Sequence, residues 1–464
     1  MTNWTPDLSP YHGPKYLAIA DSIGAAILSG GLSVGAKLPP QRNLAYDIGV
    51  TLGTVTRGYR EAERRGLVGG EVGRGTYVLE MRQQSTDAFV LPASDESNFV
   101  NFGRAMPIQG IAGAALSKTL HEIADTPDID VLANYQLNTG LDAHIEAGAH
   151  WLSGHKLDNA HAERIAITNG VHHGILVSLM TVADPGDVIL VEPLTYPGIL
   201  HLARTFGFRI ETVATDDDGI IPEALDEACR RHAPRVLYCM PNLQNPTATI
   251  LPTKRRHAIA EIVERQGLFV VEDDIWGPLL DGDEPHLANL IPDRTIYLTS
   301  LSKCMAGGLR IGYALTPERL TQRLRAAVRM SCWMPAPLMA EIARRWIMDG
   351  TGLEMTRAQI KEVGSRFDAG LKALLPYSPR HPHRANHAWL ELPEPWRAND
   401  LRTRAENRGV RLITSEVFAV NKRSAPEAVR LCAGQANSVE DVARGMKIIA
   451  DILNSDPDID TVIA

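Results

Sequence analysis

Apolar residues in the first 80 positions recur at helical spacing in three segments. The first segment carries a stripe at i, i+3/i+4 and i+7, formed by Tyr16, Ile19, Ala20, Ile23, Ala26 and Ile27. This stripe predicts an amphipathic helix that Gly30 and Gly31 close. A second helix is predicted from about Gln41 to Asp47, after two prolines. Gly49 breaks it, and a third helix then turns its apolar side inward, with Val55, Tyr59 and Ala62.

The third predicted helix begins after Thr51, whose hydroxyl suits a helix N-cap. Its other face is mostly basic and carries Thr54, Arg57, Arg60 and Arg64. Residues 67–68 and 76–78 then favour two short strands around a glycine turn, with Arg74 at the tip. Together these elements predict a winged helix-turn-helix, a fold that reads DNA. Periodicity alone also fits a three-helix structural domain with a solvated basic face.

Polar sequence without periodicity from 81 to 98 predicts a linker between an N-terminal domain, 1–80, and a larger domain, 99–464. Beyond the linker, short apolar runs mostly alternate with segments of helix length. These runs are 164–168, 188–191, 235–239, 268–271, 295–298 and 310–314. The alternation predicts a multidomain α/β protein whose mainly parallel sheet has helices on both faces. A smaller α+β subdomain is predicted from about 336 to 464.

Composition narrows the class of protein only a little. The 464 residues are 44% hydrophobic and 22% charged, which is ordinary for a globular chain. No apolar run is long enough to cross a bilayer and no signal peptide is evident, so we expect a cytoplasmic protein without a membrane partner. A net charge of −8 argues against general affinity for nucleic acid, whereas the basic excess from Lys37 to Arg74 favours local DNA contact. The five cysteines lack metal-type spacing, and no metal site is predicted.

Lys303 is the leading candidate for chemistry because it follows an apolar run directly. Ser300, Ser302, a Gly-Gly turn and Arg310 surround its amine with groups that suit a phosphate dianion. A lysine in this setting can hold an aldehyde cofactor as a Schiff base. The segment therefore indicates pyridoxal 5'-phosphate.

Four further residues, each beside or just beyond a predicted strand, suit the same cofactor. Asp273 suits a protonated pyridine nitrogen, Asn245 suits a phenolate oxygen, and the Tyr196 ring can lie on the pyridine. Gly170 opens a strand-to-helix junction whose amides suit phosphate. Taken singly, these residues also fit a strand cap, an Asn-Pro turn, a core tyrosine and a common α/β junction. Their ordered combination with Lys303 favours the cofactor.

Two family resemblances rest on these motifs. Residues 14 to 80 resemble the GntR-type winged helix in six ordered blocks: Ile27-Leu28-Ser29-Gly30, Gly35-Ala36-Lys37-Leu38-Pro39, Arg42 with Leu44-Ala45, Thr54-Val55-Thr56-Arg57, Gly66-Leu67-Val68 and Gly73-Arg74-Gly75-Thr76-Tyr77-Val78. Residues 100 to 464 resemble the fold-type I aminotransferases. The whole chain is therefore similar to the MocR-type branch of the GntR regulators.

The aminotransferase resemblance implies a role for each matched residue. Lys303 would form the Schiff base, Asp273 would bind the pyridine nitrogen, Asn245 would bind the phenolate oxygen, and Tyr196 would stack on the ring. The phosphate would be held by Ser300, Ser302, Arg310 and the amides of Gly170, Val171 and His172.

Three further matches concern the effector and a second subunit. Arg430 matches the arginine that binds a substrate α-carboxylate, although a solvated strand arginine is the alternative. Tyr135 and Gly140 match a segment that reaches the phosphate of the neighbouring subunit. The resemblance therefore implies a homodimer with shared sites.

The chain departs from the family pattern at two positions. Trp276 stands where these aminotransferases have a tyrosine, and its indole can donate one hydrogen bond but cannot accept or titrate. His172, next to His173, stands at a glutamine-like position, and a histidine near a phosphate could titrate near neutrality. Both departures weaken the case for full catalysis and leave cofactor binding intact.

The two modules predict a transcriptional regulator that binds pyridoxal 5'-phosphate and senses an amino acid, an amine or the cofactor itself. Its DNA partner would be a double-stranded operator, contacted at phosphates or bases by Arg42, Thr54, Arg57 and Arg74. The alternative is an active pyridoxal-phosphate-dependent aminotransferase acting on an amino acid. In that case Lys303 would be the catalytic residue and would also move protons.

Overall fold

A computed structural model describes residues 4–8, 14–28, 31–33, 35–64, 67–71, 75–78, 99–136 and 140–455. By its internal contacts the chain divides into two units, Met1–Ser94 and Asp95–Ala464. Gly30, Arg74 and the predicted linker lie outside the described residues. The boundaries of the predicted domains therefore stay predictions.

The first unit contains the predicted helices and strands. They are α1 (Lys15–Leu28), α2 (Gln41–Asp47), α3 (Leu52–Arg64), β1 (Val68–Glu71) and β2 (Gly75–Val78). β1 and β2 pair antiparallel, as a wing does, with Val68 opposite Val78. The amide of Thr54 donates to the hydroxyl of Thr51 over 3.2 Å, which confirms the predicted cap of α3.

A small core joins α1 to α3. Ile19, Ile23, Val55 and Tyr59 are buried there with other side chains of the three helices and the wing. Gly58 lets the two helices approach closely, because a Cβ at this position would lie 2.8 Å from Cγ2 of Ile19. The apolar stripes predicted from the sequence are therefore the inward faces of these helices.

The second unit is larger and alternates strands with helices. Its helices are α4 (Gly113–Ala124), α5 (Asp130–Ala133), α6 (Asp142–Gly154), α7 (Gly170–Val182), α8 (Pro197–Phe206), α9 (Pro222–His232), α10 (Thr253–Gln266), α11 (Leu287–Leu290), α12 (Glu318–Cys332), α13 (Pro337–Met348), α14 (Thr351–Gly370), α15 (Ala398–Asn407) and α16 (Val439–Leu453). Its strands are β3 (Val100–Asn101), β4 (Ile165–Thr168), β5 (Val188–Val191), β6 (Arg209–Thr212), β7 (Thr215–Asp216), β8 (Gly219–Ile220), β9 (Val236–Cys239), β10 (Phe269–Asp273), β11 (Thr295–Ser300), β12 (Gly312–Leu315), β13 (His387–Glu391), β14 (Val410–Arg411), β15 (Ile413–Thr414) and β16 (Ala428–Cys432).

Seven strands form one mixed sheet in the order β4-β12-β11-β10-β9-β5-β6. β12 runs antiparallel to both neighbours, and the other pairs are parallel. Alternate residues of β5 enter different cores: Ile189 and Val191 lie in one cluster, and Val188 and Leu190 lie in another. The sheet therefore separates two apolar layers, which confirms the predicted α/β class and explains the continuous apolar runs.

A second, smaller sheet has the order β13-β16-β15, with both pairs antiparallel. Its apolar core also contains side chains of α14 and α16, and it includes Val100 and Phe102 from the start of the second unit. β3 pairs with β14, with Val100 opposite Val410. By contrast, α13, within the segment predicted to form the small subdomain, contributes Ile342 and Trp346 to the core of the larger sheet.

No helix in the described part of the chain is long and apolar enough to span a bilayer.

Candidate cofactor and effector site

The predicted cofactor residues meet where strands of the large sheet end. β10 ends at Asp273, β11 ends at Ser300 and leads into Lys303, and α7 begins at Gly170 just after β4. Asn245 lies on the loop after β9. In open α/β sheets the carboxyl ends of the strands are where ligands bind.

Asp273 is buried at the end of β10. Its carboxylate accepts a hydrogen bond from the hydroxyl of Tyr238 over 2.7 Å and from the amide of Ile275 over 3.2 Å. Burial nevertheless raises the pKa of Asp273 to about 7. The carboxylate of Asp274 accepts from a different set of groups, the hydroxyl of Tyr297 at 2.6 Å and the side-chain amide of Asn242 at 2.8 Å. A cation beside Asp273 would stabilise its ionised form.

The amine of Lys303 lies over the ring of Trp276, 5.4 Å from the ring centre, and donates a hydrogen bond to the backbone oxygen of Ala105. Desolvation lowers the pKa of Lys303 to about 8, and the nearby cations Arg430 and Arg310 act in the same direction. A lysine with this pKa is partly neutral near physiological pH. Only the neutral amine is nucleophilic.

Arg310 connects the lysine segment to the start of α7. Its guanidinium donates to the hydroxyl of Ser302 at 3.4 Å and to the backbone oxygen of Asn169 at 3.3 Å. Gly170 has a φ of +78°, and a Cβ there would lie only 2.8 Å from Nη2 of Arg310. The hydroxyl of Ser300 accepts from the amide of Ser302 over 3.3 Å. Hydroxyls, a guanidinium and the start of α7, with the amides of Val171 and His172, are thus close neighbours, and groups of these kinds suit a phosphate.

Tyr196 contacts His172 edge to face, with ring centres 6.1 Å apart and the hydroxyl 3.3 Å from Nδ1. Burial, together with the charge of Asp273, raises the pKa of Tyr196 to about 12. Burial also lowers the pKa of His172, and Arg310 adds to that effect. Both effects disfavour the charged form of His172 in the cofactor-free protein, and its titration beside a bound phosphate stays a prediction.

Arg430 and Asn245 come together from distant parts of the chain. Arg430, on β16, is buried, and its Nη1 donates to Oδ1 of Asn245 over 2.6 Å. Its Nη2 donates to the backbone oxygen of Gly103 over 2.8 Å. The guanidinium also lies 4.7 Å from the ring centre of Phe418. Arg430 is thus a buried cation in the site and not a solvated strand arginine.

Trp276 packs against a residue that the sequence did not single out, His387. Their ring centres lie 5.5 Å apart. Nε2 of His387 lies 3.0 Å from the backbone oxygen of Gln244, the residue before Asn245. Nε1 of Trp276 and Nδ1 of His387 are both buried, and neither has a hydrogen-bond partner among the described residues. Several histidines surround position 387 in the sequence, and no motif distinguishes this one.

Two predicted residues lie outside this cluster. Tyr135 is 81% exposed and contacts Trp333 edge to face, with ring centres 6.0 Å apart. Gly140 packs on the larger core, because a Cβ there would lie 2.6 Å from Cδ1 of Ile167. Their roles toward a neighbouring subunit stay predictions.

The predicted DNA-contacting residues occupy the helix-turn-helix. Arg42 on α2 and Arg57 on α3 are exposed, and Thr54 is half-buried at the start of α3. The guanidinium of Arg57 lies 4.4 Å from the ring centre of Tyr16 on α1, which restrains its direction. Arg74 lies outside the described residues.

A mixed seven-stranded sheet with these residues at its strand ends defines the class of aminotransferase-like proteins. Kynurenine aminotransferase of Pyrococcus horikoshii, solved with PMP, has a TM-score of 0.72 and 22% identity, covering 81% of this chain and 95% of that one. α-Aminoadipate aminotransferase LysN of Thermus thermophilus has a TM-score of 0.69 and 24% identity, covering 79% of this chain and 96% of that one. At these identities the similarity shows the fold.

Family comparison then gives a more specific assignment. The chain belongs to the family of aminotransferases class I and II, whose model matches residues 109–447. Residues 15–78 match the family of bacterial regulatory proteins, gntR. The predicted pairing of a GntR helix-turn-helix with an aminotransferase domain is confirmed.

Two curated relatives named as regulators match this chain over most of their length. An uncharacterized HTH-type transcriptional regulator of Bacillus subtilis, YdeF, is 26% identical over 97% of both chains. Another regulator, YdcR of Escherichia coli, is 25% identical over 88% of this chain and 92% of its own. 2-Aminoadipate transaminase of Thermus thermophilus is 29% identical but covers only 56% of this chain and 68% of its own. The full-length similarity is therefore to regulators.

Proposed function

We propose that this protein is a DNA-binding transcriptional regulator whose aminotransferase-like unit binds pyridoxal 5'-phosphate and responds to an amino compound. One observation carries the proposal. A helix-turn-helix of the GntR family is joined to an aminotransferase-like unit. In that unit the Lys303 amine, the buried Asp273 and the Arg310–Ser302 pair lie where strands of the large sheet end.

The described residues fit this cofactor. Asp273 is a buried carboxyl with a raised pKa, and a pyridinium would supply the missing cation. Nε1 of Trp276 is a buried donor without a partner among the described residues, and a phenolate oxygen would accept from it. The Arg310 guanidinium lies 2.8 Å from where a Cβ of Gly170 would be, so a cation directly adjoins the start of α7, a pairing of groups that suits a phosphate. When bound, the cofactor supplies an electrophilic carbon and an electron-withdrawing ring.

In this proposal each residue of the site has a defined role. Lys303 provides a partly neutral amine for the covalent link, and Asp273 holds a proton at the ring nitrogen. Asn245 and Trp276 bind the phenolate oxygen, while Tyr196 packs on the ring. Arg430 is the cation suited to the carboxylate of an incoming amino acid, since its planar fork matches that group. The carboxylate of the effector would replace Asn245 and Gly103 as the acceptor of the hydrogen bonds that Arg430 donates.

Effector binding would change operator affinity through linkage. A ligand that binds one arrangement of the protein better than another shifts the population toward it by its difference in affinity. In our proposal the protein acts as a homodimer, with Tyr135 reaching its partner, and Arg42, Thr54, Arg57 and Arg74 contacting DNA. The exposure of Tyr135 supports this role, because its ring contacts Trp333, which is 52% exposed, and two exposed aromatic side chains in contact form an apolar patch.

The test is covalent mapping combined with DNA binding on the full-length protein. Purified protein with added pyridoxal 5'-phosphate should show an absorbance band of the bound cofactor, and borohydride reduction should fix the cofactor mass on the Lys303 peptide. Lys303→Ala should lose that mass, whereas Lys156→Ala, which removes an exposed lysine elsewhere, should keep it. Absence of both the band and the adduct would overturn the proposal.

An active aminotransferase is the second candidate, because the pKa of Lys303, near 8, suits an amine that also moves protons. Steady turnover of an amino donor with a keto acid would favour this function. A spectral change that stops after one turnover would favour sensing.

A further inference from the structure

We infer that His387 forms a second recognition point of the effector site and selects amino compounds whose side chain carries an uncharged hydrogen-bond donor, a hydroxyl or an amide. This inference rests on the proposed function, because it assumes that an amino compound enters beside Lys303.

His387 lies on the face of the small sheet that turns toward the cofactor site. It is directly opposite Cys432 in the pairing of β13 with β16, and Trp389 is opposite Arg430. Side chains of opposed residues in antiparallel strands share a face, so His387, Cys432 and Arg430 point the same way. Arg430 reaches Asn245, and His387 packs on Trp276, whose ring lies under the Lys303 amine.

The hydrogen bond to Gln244 fixes the tautomer of His387. A backbone oxygen can only accept, so Nε2, 3.0 Å from it, carries the hydrogen. Nδ1 then presents a lone pair. This atom is fully buried and has no partner among the described residues. Buried polar atoms in native proteins are nearly always paired, so we assign a donor on the ligand as the missing partner of this acceptor.

The charge of the site excludes other side chains. Burial, with Arg430 nearby, lowers the pKa of His387 to about 3, so its ring stays neutral and Nδ1 cannot donate. A carboxylate would be repelled, because it would place an acceptor against the lone pair of Nδ1. An ammonium would be repelled by the positive charge of Arg430 in this buried environment. An uncharged hydroxyl or amide gives Nδ1 a hydrogen without adding charge, and an apolar side chain would leave it unpaired.

Threonine and valine provide a matched test, because they differ mainly in a hydroxyl against a methyl group. The full-length protein, loaded with pyridoxal 5'-phosphate, is titrated with each and followed by absorbance. Wild type should bind threonine roughly tenfold or more tightly than valine, the effect expected for one buried acceptor left unpaired. Wild type should likewise bind serine more tightly than alanine.

Variants then assign the preference to His387. His387→Phe keeps a ring of similar size but removes the acceptor, so it should bind threonine and valine alike. His387→Gln keeps an acceptor and should retain part of the preference. His381→Phe is the control: the His381 ring packs on Phe367, and its Nε2 already has a partner, the backbone oxygen of Ala385 at 3.0 Å. This variant should behave as wild type.

Three results would overturn the inference, and they differ in what else they overturn. Equal binding of threonine and valine by wild type removes it, whether or not the variants fold. A preference that survives in His387→Phe also removes it. If no amino compound changes the spectrum of protein that has bound its cofactor, the inference falls together with the proposed sensing function.

Discussion

Arg430 donates a 2.6 Å hydrogen bond to the side-chain oxygen of Asn245, a residue 185 positions earlier in the chain. The bond joins the small sheet to a loop of the large sheet. In our proposal both residues bind ligands: Asn245 the cofactor and Arg430 the effector. A ligand that binds either residue would therefore change the hydrogen bonding of the other. The Arg430–Asn245 contact between the two sheets thus lies at the centre of the proposed site.

Arg430→Lys should weaken the binding of amino acids and leave amines without a carboxylate nearly unchanged. Lysine keeps the charge but loses the two-pronged geometry that a carboxylate matches. We expect a loss of about tenfold or more for the amino acid, measured by absorbance titration of the cofactor-loaded protein. The corresponding decarboxylated amine is the control ligand. Equal losses for both ligands would contradict a carboxylate role for Arg430.

Gly170→Ala should reduce the affinity for pyridoxal 5'-phosphate, because the new Cβ would lie 2.8 Å from the guanidinium of Arg310. Gly186→Ala is a matched control. Gly186 also has a positive φ, +98°, but nothing lies within 4 Å of its added Cβ. Both variants should lose about 1–2 kcal/mol of the free energy of unfolding from backbone strain. Only Gly170→Ala should bind cofactor more weakly in an absorbance titration.

Because Asp273 is buried, we expect the stability of the cofactor-free protein to depend on pH. Burial raises the pKa of its carboxyl from 3.8 to about 7, so its protonated form favours folding. The protonated carboxyl contributes fully to the free energy of unfolding below pH 3.8, and this stabilisation is lost as the pH rises through 7. The melting temperature of Asp273→Asn minus that of wild type should therefore increase from pH 5 to pH 8.5.

Two comparisons sharpen the Asp273 measurement. Glu192, whose pKa burial raises to about 8, is present in both proteins and cancels in the difference. In the presence of pyridoxal 5'-phosphate the pH dependence should shrink, since a pyridinium beside the carboxylate lowers its pKa. A difference that does not vary with pH would show that Asp273 is ionised in the cofactor-free fold.

Arg57→Ala should weaken operator binding and lower the slope of log affinity against log salt concentration by about 0.9, the value for one phosphate contact. Fluorescence anisotropy at several salt concentrations measures both. Because Arg57 also stacks on Tyr16, a melting curve should confirm that the variant is folded. Arg231→Ala, an exposed arginine of the second unit, should leave the slope unchanged. An unchanged slope for Arg57→Ala would mean that this residue contacts no phosphate.

The sequence was informative where a single physical requirement dominates. Strands buried on both faces must be apolar throughout, so β5 and β9 were visible as short apolar runs. β6 was not, because it is the edge strand of the sheet and its two end residues, Arg209 and Thr212, are polar and exposed. β3 has only two residues, and its partner β14 begins 310 positions later in the chain, so no local pattern reveals the pairing.

The candidate site was predictable residue by residue only where a residue type has few other uses beside a strand. Lys303 with its serines and Arg310 stood out for that reason. His387 did not, because its role depends on which atoms surround it: the oxygen of Gln244, the ring of Trp276 and the charge of Arg430. The lowering of the pKa of His172 has the same origin, since burial depends on the folded packing and not on the local sequence.

The opening segment of the second unit contacts two candidate ligand-binding residues directly. The backbone oxygens of Gly103 and Ala105 accept hydrogen bonds from Arg430 and Lys303, and β3, two residues before Gly103, is fixed in the C-terminal core. A carboxylate at Arg430 and a cofactor at Lys303 would compete for those same donors. In our proposal, the part of the second unit that is nearest in sequence to the DNA-binding module would therefore lose two hydrogen bonds when the ligands bind.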